Sequence, residues 1–244
     1  PDAKTWEFII RKNVSFHNGD NLVAEDVVAN FNRFRDPSME GEAGTKGVYP
    51  SYFEKTVATT IDEYKVKIEL ETPMSDLLDV LIEMPIAPRN HLDTIEKDLE
   101  GTGPYVFEEK TDKHLVTVAN KDYWGGEAPY QTVNWVKETD PIKRLEALNS
   151  GDADFIPSLD VSLHDQVDPS ATIVEKESNV CMIYFFNAQK GPCMDKRVRQ
   201  ALNYGIDKKK LIQDVLNGAA YSLESVFSPL SLGYVKDVPG YPYD

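Results

Sequence analysis

The sequence predicts a mixed α+β protein, within the broad α/β class, in which strands and helices do not follow strict βαβ alternation. Two stretches carry this prediction. Residues 64–70 alternate apolar with charged side chains, which is typical of a strand with one solvated face. Residues 24–34 place Val27, Phe31 and Phe34 at helical spacing, which indicates an amphipathic helix. Because both patterns occur in one chain without a regular repeat, helices and strands are expected to pack in a segmented arrangement.

The first third of the chain is predicted to run from strand to turn to helix. Trp6 and Phe8 mark the strand, and the residues around Gly19 form a turn that tolerates positive φ. The helix that starts at Ala24 is predicted to end before Pro37, since proline disfavours helical geometry in the residue before it. Residues 38–50 combine glycine, proline and charged side chains, so they are predicted to form a loop.

The middle of the chain is predicted to hold a helix, a hairpin and a further strand. The helix follows Pro73, and its buried side is expected to consist of four apolar residues: Leu77, Leu78, Leu81 and Ile82. A tight turn at residues 101–105 then leads into a hairpin of residues 105–109 and 114–119. Residues 132–137 are predicted to form the next strand.

The last part of the chain contains three helix starts and one apolar segment. Asp140, followed by a proline, is predicted to cap a helix that Gly151 closes, and Asp195 and Asp207 are predicted to cap two more. Residues 180–186 are apolar on both faces, which predicts a central strand of a sheet.

Composition excludes several classes of protein. The 26 Lys and Arg residues against 41 Asp and Glu give a net charge of −15, which excludes a nucleic-acid-binding face. Hydrophobic residues make up 41% of the chain and charged residues 27%, as in ordinary globular proteins, so disorder is not expected. Cys181 and Cys193 either pair across the intervening turn or remain free thiols, and the sequence leaves both open.

The sequence contains no motif of catalysis or of metal binding. The four histidines lack the spacing of a metal site, and no nucleotide-binding or nucleophile motif occurs. We therefore expect no catalytic residue, no metal site and no cofactor.

Five blocks in order resemble the family 5 extracellular solute-binding proteins, the peptide- and nickel-type receptors of ABC importers. The first joins a segment from Trp6 to Gly19 with a second from Ala24 to Arg33. The other four are Gly-Thr-Gly-Pro-Tyr at residues 101–105, Asn-Lys-Asp-Tyr-Trp-Gly at 120–125, the segment 144–154, and Phe186-Asn187 followed by residues 195–207.

The resemblance implies a partial, periplasmic-binding-protein-like type II fold with two lobes and mixed sheets flanked by helices. Residues 1–100 would belong to an accessory domain and residues 101–244 to the first lobe and hinge, with the large C-terminal lobe outside this segment. It further implies an extracytoplasmic receptor, periplasmic or a cell-surface lipoprotein, that delivers its solute to permease subunits. Membrane contact, if any, would be through a lipid anchor outside the segment.

The resemblance leaves three functions open. A receptor for di- or oligopeptides is favoured, a receptor for nickel or another metal chelate is the alternative, and an unrelated enzyme is the remote one. Nickel-type members hold an anionic chelate with cleft arginines, and here Lys46 and Met84 stand near those positions, which weakens the nickel alternative. The expected ligand-binding residues are Lys46, Tyr49, Met84, Phe186 and Asn187. A polar loop, an adaptable thioether and an amide at a strand end suit a peptide.

Overall fold

The computed structural model describes residues 2–36, 48–231 and 233–244, with the side chains of residues 48, 49 and 96 outside the description. The chain divides into two compact units, Pro1–Lys137 and Glu138–Asp244. We call these unit 1 and unit 2 and describe each by itself. The predicted boundary between residues 100 and 101 falls inside unit 1, and the assignment of the two domains to lobes stays a prediction.

The first sheet of unit 1 is antiparallel and has three strands in the order β1-β3-β2. The strands are β1 (Thr5–Ile9), β2 (Val57–Asp62) and β3 (Lys65–Glu69). The strands predicted around Trp6 and within residues 64–70 are confirmed, and Trp6 lies opposite Ile68. Strand β2 was not predicted, because only Ala58 of its six residues is buried and no alternation shows.

Helix α1 (Ala24–Phe34) covers this sheet and provides much of its core. Phe31 is fully buried and meets Phe53 of helix α2 (Val48–Phe53), with 5.1 Å between the ring centroids. Helix α2 replaces the end of the predicted loop, so the loop prediction is wrong for residues 48–50, and residues 37–47 lie outside the description. The core built here also includes three aliphatic residues: Val66, Ile68 and Leu77.

The helix predicted after Pro73 is shorter and less buried than expected. Helix α3 spans only Leu77–Leu81, with Leu77 buried but Leu78 52% exposed and Ile82 77% exposed. A helix of little more than one turn can present only one edge to the core, so the expected four-residue buried side is wrong. A short 3₁₀ turn, Arg89–His91, and helix α4 (Ile95–Asp98) follow.

The second sheet of unit 1 consists of the predicted hairpin and the strand predicted at residues 132–137. Its strands are β4 (Tyr105–Lys110), β5 (His114–Ala119) and β6 (Thr132–Val136), in the order β4-β5-β6. Every pairing in both described sheets is antiparallel, so the mixture of strand directions expected from the family fold is not found in the described residues. The β2–β3 and β4–β5 connections are too short for the crossover that parallel neighbours need, whereas β1 and β3 are antiparallel although a long stretch of chain separates them.

Unit 2 is mainly helices and irregular chain. Helix α5 (Pro141–Ser150) is capped by Asp140 and closed by Gly151 at φ +81°, as predicted. Helices α6 (Lys196–Tyr204) and α7 (Lys208–Leu216) begin after Asp195 and Asp207, whose carboxylates accept amide hydrogens of Arg197 and Lys210 at 2.8 and 2.9 Å. Two 3₁₀ turns, Val161–Gln166 and Pro192–Met194, complete the regular elements of the described residues.

The predicted central strand at residues 180–186 is wrong for the structure described. The segment has no strand partner there, and its side chains are open, with Met182 83% and Phe185 89% exposed. Backbone hydrogen bonds, rather than apolar character, define a strand, and no described segment makes such bonds with this one. Cys181 and Cys193 are free thiols. No helix among the described residues has both the length and the apolar character needed to cross a membrane.

Candidate functional site

His17 joins two distant segments of unit 1. Its backbone N–H donates to the Gly101 carbonyl at 2.9 Å, and the Gly101 N–H donates to its Nδ1 at 3.3 Å. Because Nδ1 accepts, the ring hydrogen of neutral His17 lies on Nε2, which donates to the Gly103 carbonyl at 3.1 Å. The imidazole therefore connects the first segment of the first block, near its end, to the Gly-Thr-Gly turn.

The third block meets the same turn. Asn120 donates through Nδ2 to the Gly103 carbonyl at 3.0 Å, and Trp124 donates through Nε1 to the Thr102 carbonyl at 3.1 Å. The guanidinium of Arg11 lies 4.6 Å from the centre of the Trp124 ring, within the range of a cation–π contact. The first three blocks of the resemblance thus contact one another at the turn of residues 101–105.

The helical part of the first block makes a second set of contacts within unit 1. Asp26 is buried and accepts from the N–H and Nη1 of Arg89, at 3.1 and 3.0 Å. Asn30 donates to the Ala87 carbonyl at 2.7 Å and accepts from the Ala87 N–H at 3.1 Å, as a neighbouring strand would. These residues hold the segment after helix α3 against helix α1. Their role is therefore structural.

The five residues expected to bind ligand lie in different parts of the chain. Lys46 is outside the described residues, and Tyr49 is in helix α2 with its side chain outside the description. Met84 packs partly buried against the core of unit 1. Phe186 is half-buried, and Asn187 is exposed and accepts the N–H of Gln189 at 3.0 Å. Phe186 and Asn187 are neighbours in the sequence, and the set as a whole stays a prediction.

Unit 2 contains a wide, open groove of about 1050 Å³, which we call the unit 2 groove. Apolar and aromatic side chains form much of its wall, and Phe155 and Tyr221 are 79% and 44% exposed. Further apolar walls come from five residues: Leu148, Ile156, Ile173, Val174 and Val180. Such a surface can accept a solute with apolar parts.

Charged side chains of the unit 2 groove are mostly acidic. Asp154, Glu175 and Glu177 line it, against the single lysine Lys176. Oε1 of Glu175 lies 3.7 Å from Nδ1 of His164. His164 also lines the groove. Asp154 and Glu177 make no hydrogen bond or ion pair with other described residues.

Two local features of the unit 2 groove concern Ser158 and Tyr221. Ser158 on its wall has φ +53°, a left-handed conformation that a residue other than glycine adopts at a cost. Burial, and then the Glu177 carboxylate, raise the pKa of Tyr221, with Cys181 and Tyr234 adding to the effect. A tyrosine hydroxyl is protonated at neutral pH with or without this shift, so that of Tyr221 can donate a hydrogen bond.

The unit 2 groove was not predicted from the sequence. Its wall comes from residues 148–180 and 218–228, which show neither helical nor strand periodicity beyond helix α5. A signal was available, since a long run with little regular structure inside a folded unit is uncommon and often functional. No group of three metal-ligating side chains suited to a metal ion occurs in the described part of the chain.

The chain matches a known protein family along its whole length. The family model for bacterial extracellular solute-binding proteins, family 5 Middle, matches residues 1–244. The chain is 30% identical to heme-binding protein A of Haemophilus influenzae over 271 residues, which covers 100% of this chain and 49% of the relative. It is 28% identical to the dipeptide-binding protein of Escherichia coli, covering 100% and 50%, and 26% identical to the nickel-binding periplasmic protein of the same organism, covering 93% and 45%.

Solved structures share this fold. HbpA2 from Haemophilus parasuis matches with a TM-score of 0.78 at 26% identity, covering 100% of this chain and 53% of that structure. NikZ from Campylobacter jejuni in complex with Ni(L-His) matches with a TM-score of 0.80 at 24% identity, covering 100% and 50%. These similarities confirm the type II periplasmic-binding-protein fold. The chain spans about half the length of the curated relatives that it matches. The chain belongs to the family 5 bacterial extracellular solute-binding proteins.

Proposed function

We propose that the full gene product containing this chain is the receptor of an ABC importer, which captures a solute outside the cytoplasm and delivers it to the permease subunits. The observation that carries the proposal is the family match over residues 1–244. Receptors of two lobes bind by closing around a solute, so the function includes no catalytic step and no cofactor.

The proposed solute is a di- or oligopeptide. The apolar and aromatic wall of the unit 2 groove suits side chains of varied shape, and its scattered polar groups suit a peptide backbone. Residues 173–187 make no backbone–backbone hydrogen bond with other described residues, and side chains occupy only the Val180 N–H and the Asn179 carbonyl, so most of their amides and carbonyls can pair with an extended peptide. The likeness to the E. coli dipeptide-binding protein points in the same direction.

A nickel or other metal chelate is the second candidate, favoured by the likeness to the E. coli nickel-binding protein. An anionic chelate needs cationic partners, and arginine is the residue best suited to them. Among the described residues no arginine lines the unit 2 groove, and its carboxylates would repel an anion. These charges favour the peptide over the chelate.

Native mass spectrometry of the full gene product, purified without denaturation, tests the proposal. The expected adduct is a peptide or a family of peptides, and calorimetric titration with di-, tri- and oligopeptides should reproduce the binding. A co-purified metal with an organic chelator would favour the second candidate instead. Heme absorption in the purified protein, or a product formed from an added peptide, would contradict the peptide proposal.

A further inference from the structure

His17 differs from the other histidines in what surrounds its ring. The other three each have a carboxylate oxygen at 2.8–3.7 Å from a ring nitrogen: His91, His114 and His164. His17 makes no ion pair with the described residues, and its ring nitrogens form hydrogen bonds with the backbone of Gly101 and Gly103. A neighbouring carboxylate stabilises the charged form of an imidazole. His17 is therefore the histidine whose described surroundings do not supply this stabilisation.

The charged residues on the segments around this imidazole are engaged elsewhere or exposed. Asp20 lies on the same loop, Glu100 precedes the Gly-Thr-Gly turn, and Arg11 lies at the contact with the third block. Each has another partner: Asn18 for Asp20 at 3.2 Å, His91 for Glu100 at 2.8 Å, and the centre of the Trp124 ring for Arg11 at 4.6 Å. Lys121 and Asp122 are exposed. The two backbone hydrogen bonds of the ring therefore decide which protonation state fits.

These two hydrogen bonds fit only the neutral imidazole. Nδ1 of His17 accepts the Gly101 N–H at 3.3 Å, and Nε2 donates to the Gly103 carbonyl at 3.1 Å. A charged imidazole carries a hydrogen on both nitrogens, so Nδ1 could no longer accept, and its N–H would face the N–H of Gly101. Uptake of a proton therefore removes the bond to Gly101, while the bond to Gly103 can remain.

We propose that His17 is a proton-sensitive catch, which fastens the first block to the Gly-Thr-Gly turn when the imidazole is neutral and loosens it when the imidazole takes up a proton. Imidazoles change charge between about pH 8 and pH 5. Because the neutral form is the one that fits, the catch is complete at pH 8 and is lost as the pH falls towards 5. The bond from the His17 backbone N–H to the Gly101 carbonyl, at 2.9 Å, does not involve the ring, so the turn is loosened rather than released. The catch needs no solute, so it is independent of the proposed function.

Hydrogen exchange in the full gene product, measured by mass spectrometry at pH 8 and at pH 5, tests the catch. His17→Gln is the matched variant, because an amide offers an oxygen to the Gly101 N–H and an N–H to the Gly103 carbonyl without titrating. We expect both proteins to exchange alike in residues 99–105 at pH 8. At pH 5 the wild type should exchange about fivefold faster there, equivalent to the loss of a hydrogen bond of about 1 kcal/mol. Comparing two proteins at the same pH cancels the chemical effect of pH on exchange.

A control variant and a spectroscopic measurement make the test specific to the ring. His114→Gln is the control, since His114 contacts Thr111 and Glu109 rather than the turn, and it should leave exchange in residues 99–105 unchanged. Nitrogen NMR of protein labelled with ¹⁵N-histidine reports which ring nitrogen carries a hydrogen, and the signal of His17 is the one missing from His17→Gln. We expect Nδ1 of His17 to be without a hydrogen at pH 8 and to carry one at pH 5.

Equal exchange of the wild type and His17→Gln at pH 5 would overturn the catch. So would an equal change in His114→Gln, because the effect would then not come from His17. If His17→Gln already exchanged faster than the wild type at pH 8, glutamine would not replace the imidazole, and the NMR signal would decide. An Nδ1 that gains its hydrogen between pH 8 and pH 5 then supports the catch, and any other pattern overturns it.

Discussion

Replacing Asn30 with alanine should destabilise unit 1 strongly. Asn30 is 3% exposed, and its side chain pairs with both the N–H and the carbonyl of Ala87, which is itself 3% exposed. The Ala87 groups have no other described backbone hydrogen bond, so the substitution leaves two buried polar groups without partners. At about 1–3 kcal/mol for each group, the expected loss is about 2–6 kcal/mol.

Urea unfolding followed by tryptophan fluorescence measures this loss. The chain has three tryptophans, Trp6, Trp124 and Trp135, and all lie in unit 1, so their emission reports that unit. Asn90→Ala is the matched control, since it removes the same amide from an exposed position nearby. We expect Asn90→Ala to change the free energy of unfolding by less than about 0.5 kcal/mol, as surface substitutions usually do.

Equal free energies of unfolding for Asn30→Ala and Asn90→Ala would refute this expectation. That result would mean that water reaches the Ala87 amide and carbonyl, or that the segment after helix α3 moves to pair them elsewhere. Asn30→Asp offers a further check, because it keeps the acceptor but loses the donor to the Ala87 carbonyl. It should be no more stable than Asn30→Ala.

Four other outcomes are expected. Asp207→Ala should lower the melting temperature through the loss of a helix cap worth about 1 kcal/mol, while ligand affinity of the full gene product is unchanged; a loss of affinity with unchanged melting would contradict this. Hydrogen bonds from Arg197 lower the pKa of Asp195 below its ordinary 3.8. The stabilising effect of the ionised carboxylate is therefore present above that value and is lost as the pH falls through the lowered pKa. In Asp195→Ala, the free energy of unfolding should be lower at neutral pH and should fall less steeply through this acid range, as circular dichroism against pH would show. The chain of 244 residues alone should bind peptides more weakly than the full gene product, and sub-micromolar binding by calorimetry would disprove it. Tyr49→Ala or Asn187→Ala in the full gene product should cost about 1–3 kcal/mol of binding free energy, and wild-type affinity in both would remove them from the cleft.

Elements with their own local signals could be predicted from the sequence. Strand β3 and helix α1 each show one apolar side, because each buries one side against unit 1. The starts of helices α5, α6 and α7 were predictable from Asp140, Asp195 and Asp207, since capping depends on only a few neighbouring residues. The family resemblance was confirmed along the full chain.

Features that depend on distant contacts were not predictable. The conformation of residues 180–186 depends on which segment lies beside them, and their apolar character alone suggested a strand. Strand β2 is held mainly by its neighbour β3, with little signal of its own. The unit 2 groove combines segments about 70 residues apart by sequence number, such as those at Leu148 and Tyr221, and its unpaired carboxylates stand out only when their surroundings are known.

The position of His17 has a consequence for classifying related proteins. Its imidazole binds backbone atoms of Gly101 and Gly103, which any solute-binding member with this turn can provide. A search that detects this histidine and its glycines therefore detects an architecture and carries no information about cargo. Sorting family members by what they transport therefore requires comparison of other positions.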